Sequence, residues 1–333
     1  MKKLLALLAL ILALTLALAS CSLGERMFGN TEDDGNTEDG GNTEGGGDTE
    51  HIHSFGEWVT ILEPTCIQNG KEQHSCYCGE TETKLIYANG HNMKDGLCSI
   101  CGAEYSKGLK FAPNGDGICY VSGIGTCTDT DVIIPPMSPD GDSVTGIGNW
   151  AFSDCTSLTS IVIPDSVESI AYGAFSDCTS LTSIVIPDSV TSIGEWALYD
   201  CIRLTSIDIP DSVTSIGNHA FESCPRLTSI DISNSITSIG NDAFRYCILL
   251  TGIVIPDGVE SIGSYAFYGC YSLESVVIPN SVESIGKTAF WDCDSLADVY
   301  YTGSEQEWGE ISIGSSNSKL TSATIHYNYV PEE

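Results

Sequence analysis

Basic residues are scarce in this 333-residue chain. Thirteen Lys and Arg stand against 45 Asp and Glu, a formal net charge of −32. A phosphate-binding protein needs a basic face, so nucleic acid is excluded as an expected partner. The acidity itself reads as a solvated, soluble exterior. Long apolar runs are also missing. The only one, Leu4 to Leu18, is too short and wrongly flanked for a permanent transmembrane helix. Catalytic constellations are missing too. Five of the six histidines lie outside the repeats described below, and no Walker loop, Ser-His-acid order or paired-carboxylate cleft can be placed. The chain is therefore not expected to be an enzyme.

What is present is a period. Ala-Phe recurs every 23 residues at Ala151-Phe152, Ala174-Phe175, Ala220-Phe221, Ala243-Phe244, Ala266-Phe267 and Ala289-Phe290, with Ala197-Leu198 in the altered copy. Cys155, Cys178, Cys201, Cys224, Cys247, Cys270 and Cys293 keep the same step, as do Leu158, Leu181, Leu204, Leu227, Leu250, Leu273 and Leu296. A fixed step of this size predicts a solenoid in which each coil packs on its neighbours.

One copy shows how a coil closes. In Ala151 to Ile170, Leu158, Ile161 and Ile163 form L-x-x-I-x-I, a short strand with one buried face. Pro164 ends it. Stacked at ~4.8 Å over seven coils, such strands make a parallel sheet roughly 30 Å long. Val167, Ile170, Ala151 and Phe152 point inward from a tighter arc. Gly148, Gly194, Gly217, Gly240, Gly263 and Gly286 follow the isoleucine of that arc, where a turn conformation reserved for glycine is expected. Ser166, Ser189, Ser212, Ser235 and Ser281, with Gly258 in one copy, are expected to bond backbone groups in the turn. The cysteines share a frame with apolar residues and read as core.

The pattern L-x-x-I-x-I-P-x-x-V-x-x-I-G-x-x-A-F-x-x-C resembles the leucine-rich repeats of BspA-like bacterial surface proteins, 23-residue class. The resemblance implies a right-handed repeat coil with a parallel β-sheet on one face, seven repeats over 147–300, an N-terminal cap over 108–146 and a C-terminal cap over 301–333. It also implies a monomeric binding protein: an adhesin for host matrix, other cells or polymers. A scaffolding envelope protein and a polysaccharide-recruiting accessory protein are the alternatives.

The rest of the chain has other compositions. Lys2 and Lys3 precede the apolar run, which ends in Leu18-Ala19-Ser20-Cys21. Residues 1–20 resemble a bacterial lipoprotein signal peptide. That resemblance implies a lipidated Cys21 and a chain anchored outside the cell by lipid alone; an ordinary signal with a chance cysteine is the other reading. Residues 21–50 hold a Gly/Asn/Thr/acid tract with almost nothing to bury, expected as a disordered tether. Residues 51–105 carry a Cys/His-rich module. Cys76, Cys78, Cys98 and Cys101 are spaced like a zinc ribbon with a shortened first pair, and His53, Cys66 and His91 are spare ligands. Structural zinc, disulfides and free thiols all remain open here, each as a staple or filler for a small module.

Two surfaces are candidates for ligand binding. One is the outward strand face, Ser160, Val162, Ser183, Val185, Ser206, Asp208, Ser229 and Asp231, a plain hydroxyl-and-valine strip with two neighbouring acids. The other is the non-sheet arc, where the copies differ and Tyr246, Tyr268, Tyr271 and Trp291 supply residue types that anchor interfaces.

Overall fold

The computed structural model describes residues 56–62, 70–75, 81–86, 93–94, 97–98 and 104–331. The lipidation position Cys21, the signal and tether segments, and His53, Cys66, Cys76, Cys78, His91 and Cys101 lie outside the described residues. Two compact units divide the chain, Met1–Leu62 with Lys71–Leu85, and Glu63–Gly70 with Ile86–Glu333. In the first region Val59–Leu62, Gly70–Ser75 and Thr81–Ile86 form a three-stranded sheet in that order, the first pair antiparallel. Trp58 stacks on His74 there, ring centroids 3.7 Å apart. Met93–Lys94 and Leu97–Cys98 form a short antiparallel pair, which puts Cys98 at a strand end.

The solenoid occupies the remainder. Its first ladder runs through Asp131–Ile133, Ser160–Val162 and Ser183–Val185, all parallel, with Ser160 opposite Ser183. Ser206–Asp208 then pairs with Ser229–Asp231, and Gly252–Val254, Ser275–Ile278, Asp298–Tyr301 and Thr324–His326 complete the face. The partners within the repeats are 23 residues apart, so the sequence period is the strand register. Ile161, Ile184, Ile207 and Ile253 are buried on the inner side of this ladder.

A second ladder stands where the sequence suggested only a tighter arc. Ser143–Ile147, Ser169–Ile170 and Ser192–Ile193 pair in parallel. Single bridges through Ile216 carry it on to Ser238–Ile239, Ser261–Ile262, Ser284–Ile285 and Ser312–Ile313. The buried valines and isoleucines of the arc face the first ladder across the core.

The third side is stitched by hydrogen bonds without strands. Phe152 N–H donates to Ala174 O (2.8 Å), Phe175 N–H to Ala197 O (2.8 Å), and the step repeats to Phe267 N–H on Ala289 O (2.8 Å). The geometry needs left-handed backbone at two places per coil. Trp150, Trp196, His219, Asp242, Tyr265 and Thr288 fill the first place with φ between 55 and 62°. Asp154, Asp177, Asp200, Ser223, Tyr246 and Asp292 fill the second with φ between 53 and 60°. Gly173 and Gly269 hold these places in the two remaining cases.

This corrects the reading of the repeat glycines. Gly194, Gly217, Gly240, Gly263 and Gly286 have no left-handed φ. They are needed because consecutive coils touch there. A Cβ on Gly240 would lie 2.8 Å from Gly217 O, and one on Gly286 would lie 2.3 Å from Ser264 N. Backbone cannot yield to a methyl as a side chain can.

The core is a set of columns. Phe221, Phe244 and Phe267 stack with centroids 5.4 Å apart and planes within 10°. Phe267 and Phe290 follow at 5.1 Å. Leu198 interrupts the stack between Phe175 and Phe221. Truncating one such ring costs about 3–5 kcal/mol, from lost transfer energy plus a cavity.

Six of the seven repeat cysteines are core and bond the backbone of the preceding coil, while Cys155 is only half-buried. Cys178 Sγ donates to Phe152 O (3.1 Å), Cys201 to Phe175 O (3.4 Å), and Cys224, Cys247, Cys270 and Cys293 to Leu198 O, Phe221 O, Phe244 O and Phe267 O. All six are buried and unbridged. The turn serines act likewise across coils: Ser166, Ser189, Ser212 and Ser281 donate to Val144 O, Val167 O, Val190 O and Val259 O at 2.6–2.8 Å. Ser235 differs, its own N–H donating to Ser233 Oγ at 3.0 Å.

Both ends are closed. Lys110–Pro113 pairs antiparallel with Ile118–Gly123, which runs parallel to Ser143–Ile147. At the other end Ser304 and Glu307 form a capping box on the short helix Glu305–Trp308. Asn317 is buried, accepts from Phe290 N–H (3.0 Å) and donates to Gly286 O (2.9 Å). It supplies from a side chain the bonds an eighth coil would have made from backbone. Among the described residues no helix is long and apolar enough to cross a membrane.

Candidate functional site

The strand face is built from three parallel ladders, each in register, so its candidates fall into two rows. Ser160, Ser183, Ser206 and Ser229 form one row, Val162, Val185, Asp208 and Asp231 the other. Ser160 is buried and donates its hydroxyl to Asp131, and Ser206 is buried as well, so neither offers much to a ligand. Asp208 and Asp231 are exposed and paired in register. Partial burial, and next the neighbouring Asp231 carboxylate, hold the Asp208 carboxyl above its ordinary value.

The arc is richer. Its side chains stand in columns one period apart, the first on left-handed backbone. One column reads Trp150, Gly173, Trp196, His219, Asp242, Tyr265, Thr288; a second reads Tyr199, Glu222, Arg245, Tyr268, Trp291. Where they run side by side on coils four and five, four polar groups sit at the corners of a square. His219 Nδ1 lies 2.6 Å from Glu222 Oε2, and Arg245 Nη1 lies 3.1 Å from Asp242 Oδ1. Across the coils, Arg245 Nη1 is 3.5 Å from Glu222 Oε1, and His219 Nε2 is 4.0 Å from Asp242 Oδ2.

Glu222 and Asp242 are buried, so each carboxylate depends on this pairing. Arg245 is also ringed by aromatics, its Cζ 5.0 Å from the Tyr246 ring, 5.1 Å from Tyr268 and 5.9 Å from Tyr265. Burial alone lowers the guanidinium's pKa; a hydrogen bond it donates to Tyr246 and the two carboxylates outweigh that and raise it. His219, Glu222 and Asp242 bring three potential metal-ligand atoms together. The Arg245 guanidinium already neutralises those carboxylates, which disfavours a second cation there.

The four arc candidates therefore separate. Tyr246 and Tyr268 meet edge to face at 5.3 Å and are committed to holding Arg245. Tyr271 and Trp291 stand out into solvent, 39% and 41% exposed. Glu222 and Tyr199 were not singled out from the sequence. The signal was present: Glu222 and Arg245 have opposite charges and lie one period apart, and His219 and Asp242 are separated by the same step.

Known proteins share this architecture. The family model for the BspA type leucine rich repeat region matches in six copies, over residues 138–250 and 237–330. The leucine-rich repeat protein of T. pallidum is similar at 30% identity over 57% of this chain and 88% of its own, TM-score 0.53. A leucine-rich repeat protein from Bacteroides ovatus is 25% identical over 66% of this chain and 70% of its own, TM-score 0.49. No curated protein matches the chain.

Proposed function

We propose that this chain, which belongs to the BspA-type leucine-rich-repeat family, is an extracytoplasmic adhesin whose arc over coils four to seven docks a protein partner. The family supports a protein-binding repeat protein. The observation that carries the finer reading is the pair of exposed aromatics Tyr271 and Trp291, on the two coils that follow the Arg245 cluster. Tyr, Trp and Arg are the residue types enriched in interface hot spots. The sheet face is less equipped, its hydroxyls partly buried and its exposed side chains small.

A lipid on Cys21 and the acidic tether would hold this surface away from the membrane, in keeping with their sequence. A structural zinc on Cys76, Cys78, Cys98 and Cys101 belongs to the same proposal, as a staple for the module before the solenoid. Zinc content of the full chain before and after chelation tests that point, with one zinc per chain expected.

The main test is an extracellular-matrix protein array probed with the full chain, followed by the double variant Tyr271→Ala, Trp291→Ala. Binding should fall at least tenfold while the melting curve is unchanged. Binding unaffected by the double variant, or no protein bound at all, removes the arc from consideration. Loss of membrane association on Cys21→Ser tests the anchor.

A further inference from the structure

We propose that the groove between the N-terminal hairpin and the first two coils binds a neutral oligosaccharide. This site is separate from the protein-docking arc and stands or falls independently of it.

The groove has a volume of about 380 Å³, in the range of small-molecule sites. Its walls carry Asn114, Tyr120, Ser122, Thr145, Asn149 and Ser169. None of its lining residues is charged. In a chain with net charge −32 that is a local exception. The absence of basic side chains disfavours an anionic ligand, and the absence of carboxylates disfavours a cation. A wall of hydroxyls and amides disfavours a purely apolar ligand, which would leave those groups unpaired. What remains is a neutral molecule dense in hydroxyls.

The groove is opened by a departure from the repeat. Gly146 stands where following coils place Ser169 and Ser192. A Cβ there would enter toward Ser169 Oγ (3.2 Å) and Tyr120 Cβ (3.6 Å). Gly148 stands where the next coil has Ala171, and the Tyr120 ring lies against it: a Cβ would be 2.5 Å from Tyr120 Cδ2. Two missing side chains thus leave space and seat one aromatic ring at the wall.

A second ring stands one residue along the chain from the lining. Trp150 follows the groove residue Asn149 and lies over Gly173, whose Cβ would fall 2.3 Å from Trp150 Cε3. Tyr172 meets it edge on at 4.9 Å, and Trp150 stays 49% exposed. An aromatic ring seated on a glycine, with much of its surface in solvent, offers an apolar, electron-rich face to sugar C–H groups. Next to it, the hydroxyl and amide groups of the groove suit sugar hydroxyls.

The test uses the full chain and calorimetric titration with maltohexaose, cellohexaose, xylohexaose and mannohexaose, with polygalacturonate as the anionic control. At least one neutral hexasaccharide should bind with a change in tryptophan fluorescence. Trp150→Gly keeps the backbone, because glycine already fills this place in the next coil, and should weaken binding at least tenfold. Gly146→Ser restores the residue of later coils, partly fills the groove and should do the same without altering the melting curve. Binding that both variants leave intact overturns the proposal. So does failure of all four neutral probes, or preference for polygalacturonate.

Discussion

Replacing Gly263 by Ala tests the contact that sets how closely the coils stack. Gly263 has no left-handed φ, so alanine is not forbidden there by its own backbone. The obstacle is the preceding coil. An added Cβ would lie 2.6 Å from Asn241 N, 2.6 Å from Gly240 C and 2.7 Å from Gly240 O, whereas ordinary contact begins at 3.4 Å. Two backbones must separate by about 0.8 Å, the difference between those distances, at a point where Gly263 N–H donates to Ile239 O at 2.9 Å.

Overpacking of this kind costs about 1–3 kcal/mol, and a weakened hydrogen bond adds about 1. Alanine's smaller unfolded-state entropy returns about 0.4–1. The expected loss is about 2–3 kcal/mol, read as a lower urea midpoint at an unchanged m-value. Gly252→Ser is the control. Its Cβ would meet Ser275 Oγ at 3.5 Å and Ser275 O at 3.8 Å, both ordinary contacts, and serine is the residue most other copies carry there. Gly252→Ser should be within about 0.5 kcal/mol of the parent. If Gly263→Ala is equally mild, the coils do not touch through these glycines and the account of the repeat is wrong.

Three more outcomes follow from the same geometry. Burial pushes the Cys224 and Cys293 thiols up to about 12, and Cys201, Cys247 and Cys270 well above the ordinary 9.0. The unfolded chain therefore gives up thiol protons first, so stability is full below about pH 9 and falls as pH rises toward 12, by up to about 1.4 kcal/mol per unit for each thiol. Urea midpoints in reductant should drop between pH 8 and 10, and less so for Cys247→Ala; a flat profile refutes it. Thr288→Asn should stabilise by about 1 kcal/mol, since a β-branched residue at φ 62° gives way to one that tolerates it; a lower melting temperature counts against this. Arg245→Ala should cost about 2 kcal/mol, below the loss for a fully buried pair because the guanidinium side chain is 32% exposed; Glu222→Gln in the same chain should recover part of it in a double-mutant cycle.

These residues also show where reading the sequence succeeds in a repeat protein and where it stops. The strands, the buried Phe, Leu and Cys columns and the coil register follow from the period, because in a solenoid of fixed step a residue's neighbour is the residue 23 positions on. The Glu222–Arg245 pair was open to the same rule, and so was the Trp150–Gly173 contact. What single-copy reasoning could not reach were properties set jointly by two coils. Left-handed backbone was expected at Gly194 and its equivalents on local grounds, yet it falls two residues on, at Trp196, His219, Asp242, Tyr265 and Thr288. Trp150 N–H donating to Tyr172 O and His219 N–H donating to Asn241 O, each at 2.8–2.9 Å, over-determine a conformation those residues would avoid alone. The glycines were released from turns and used where one coil's backbone presses on the next. A repeat that satisfies its backbone between coils can spend large, chemically distinct side chains on strained outward positions. That is why the arc, rather than the sheet, carries the exposed rings Trp150, Tyr172, Tyr271 and Trp291.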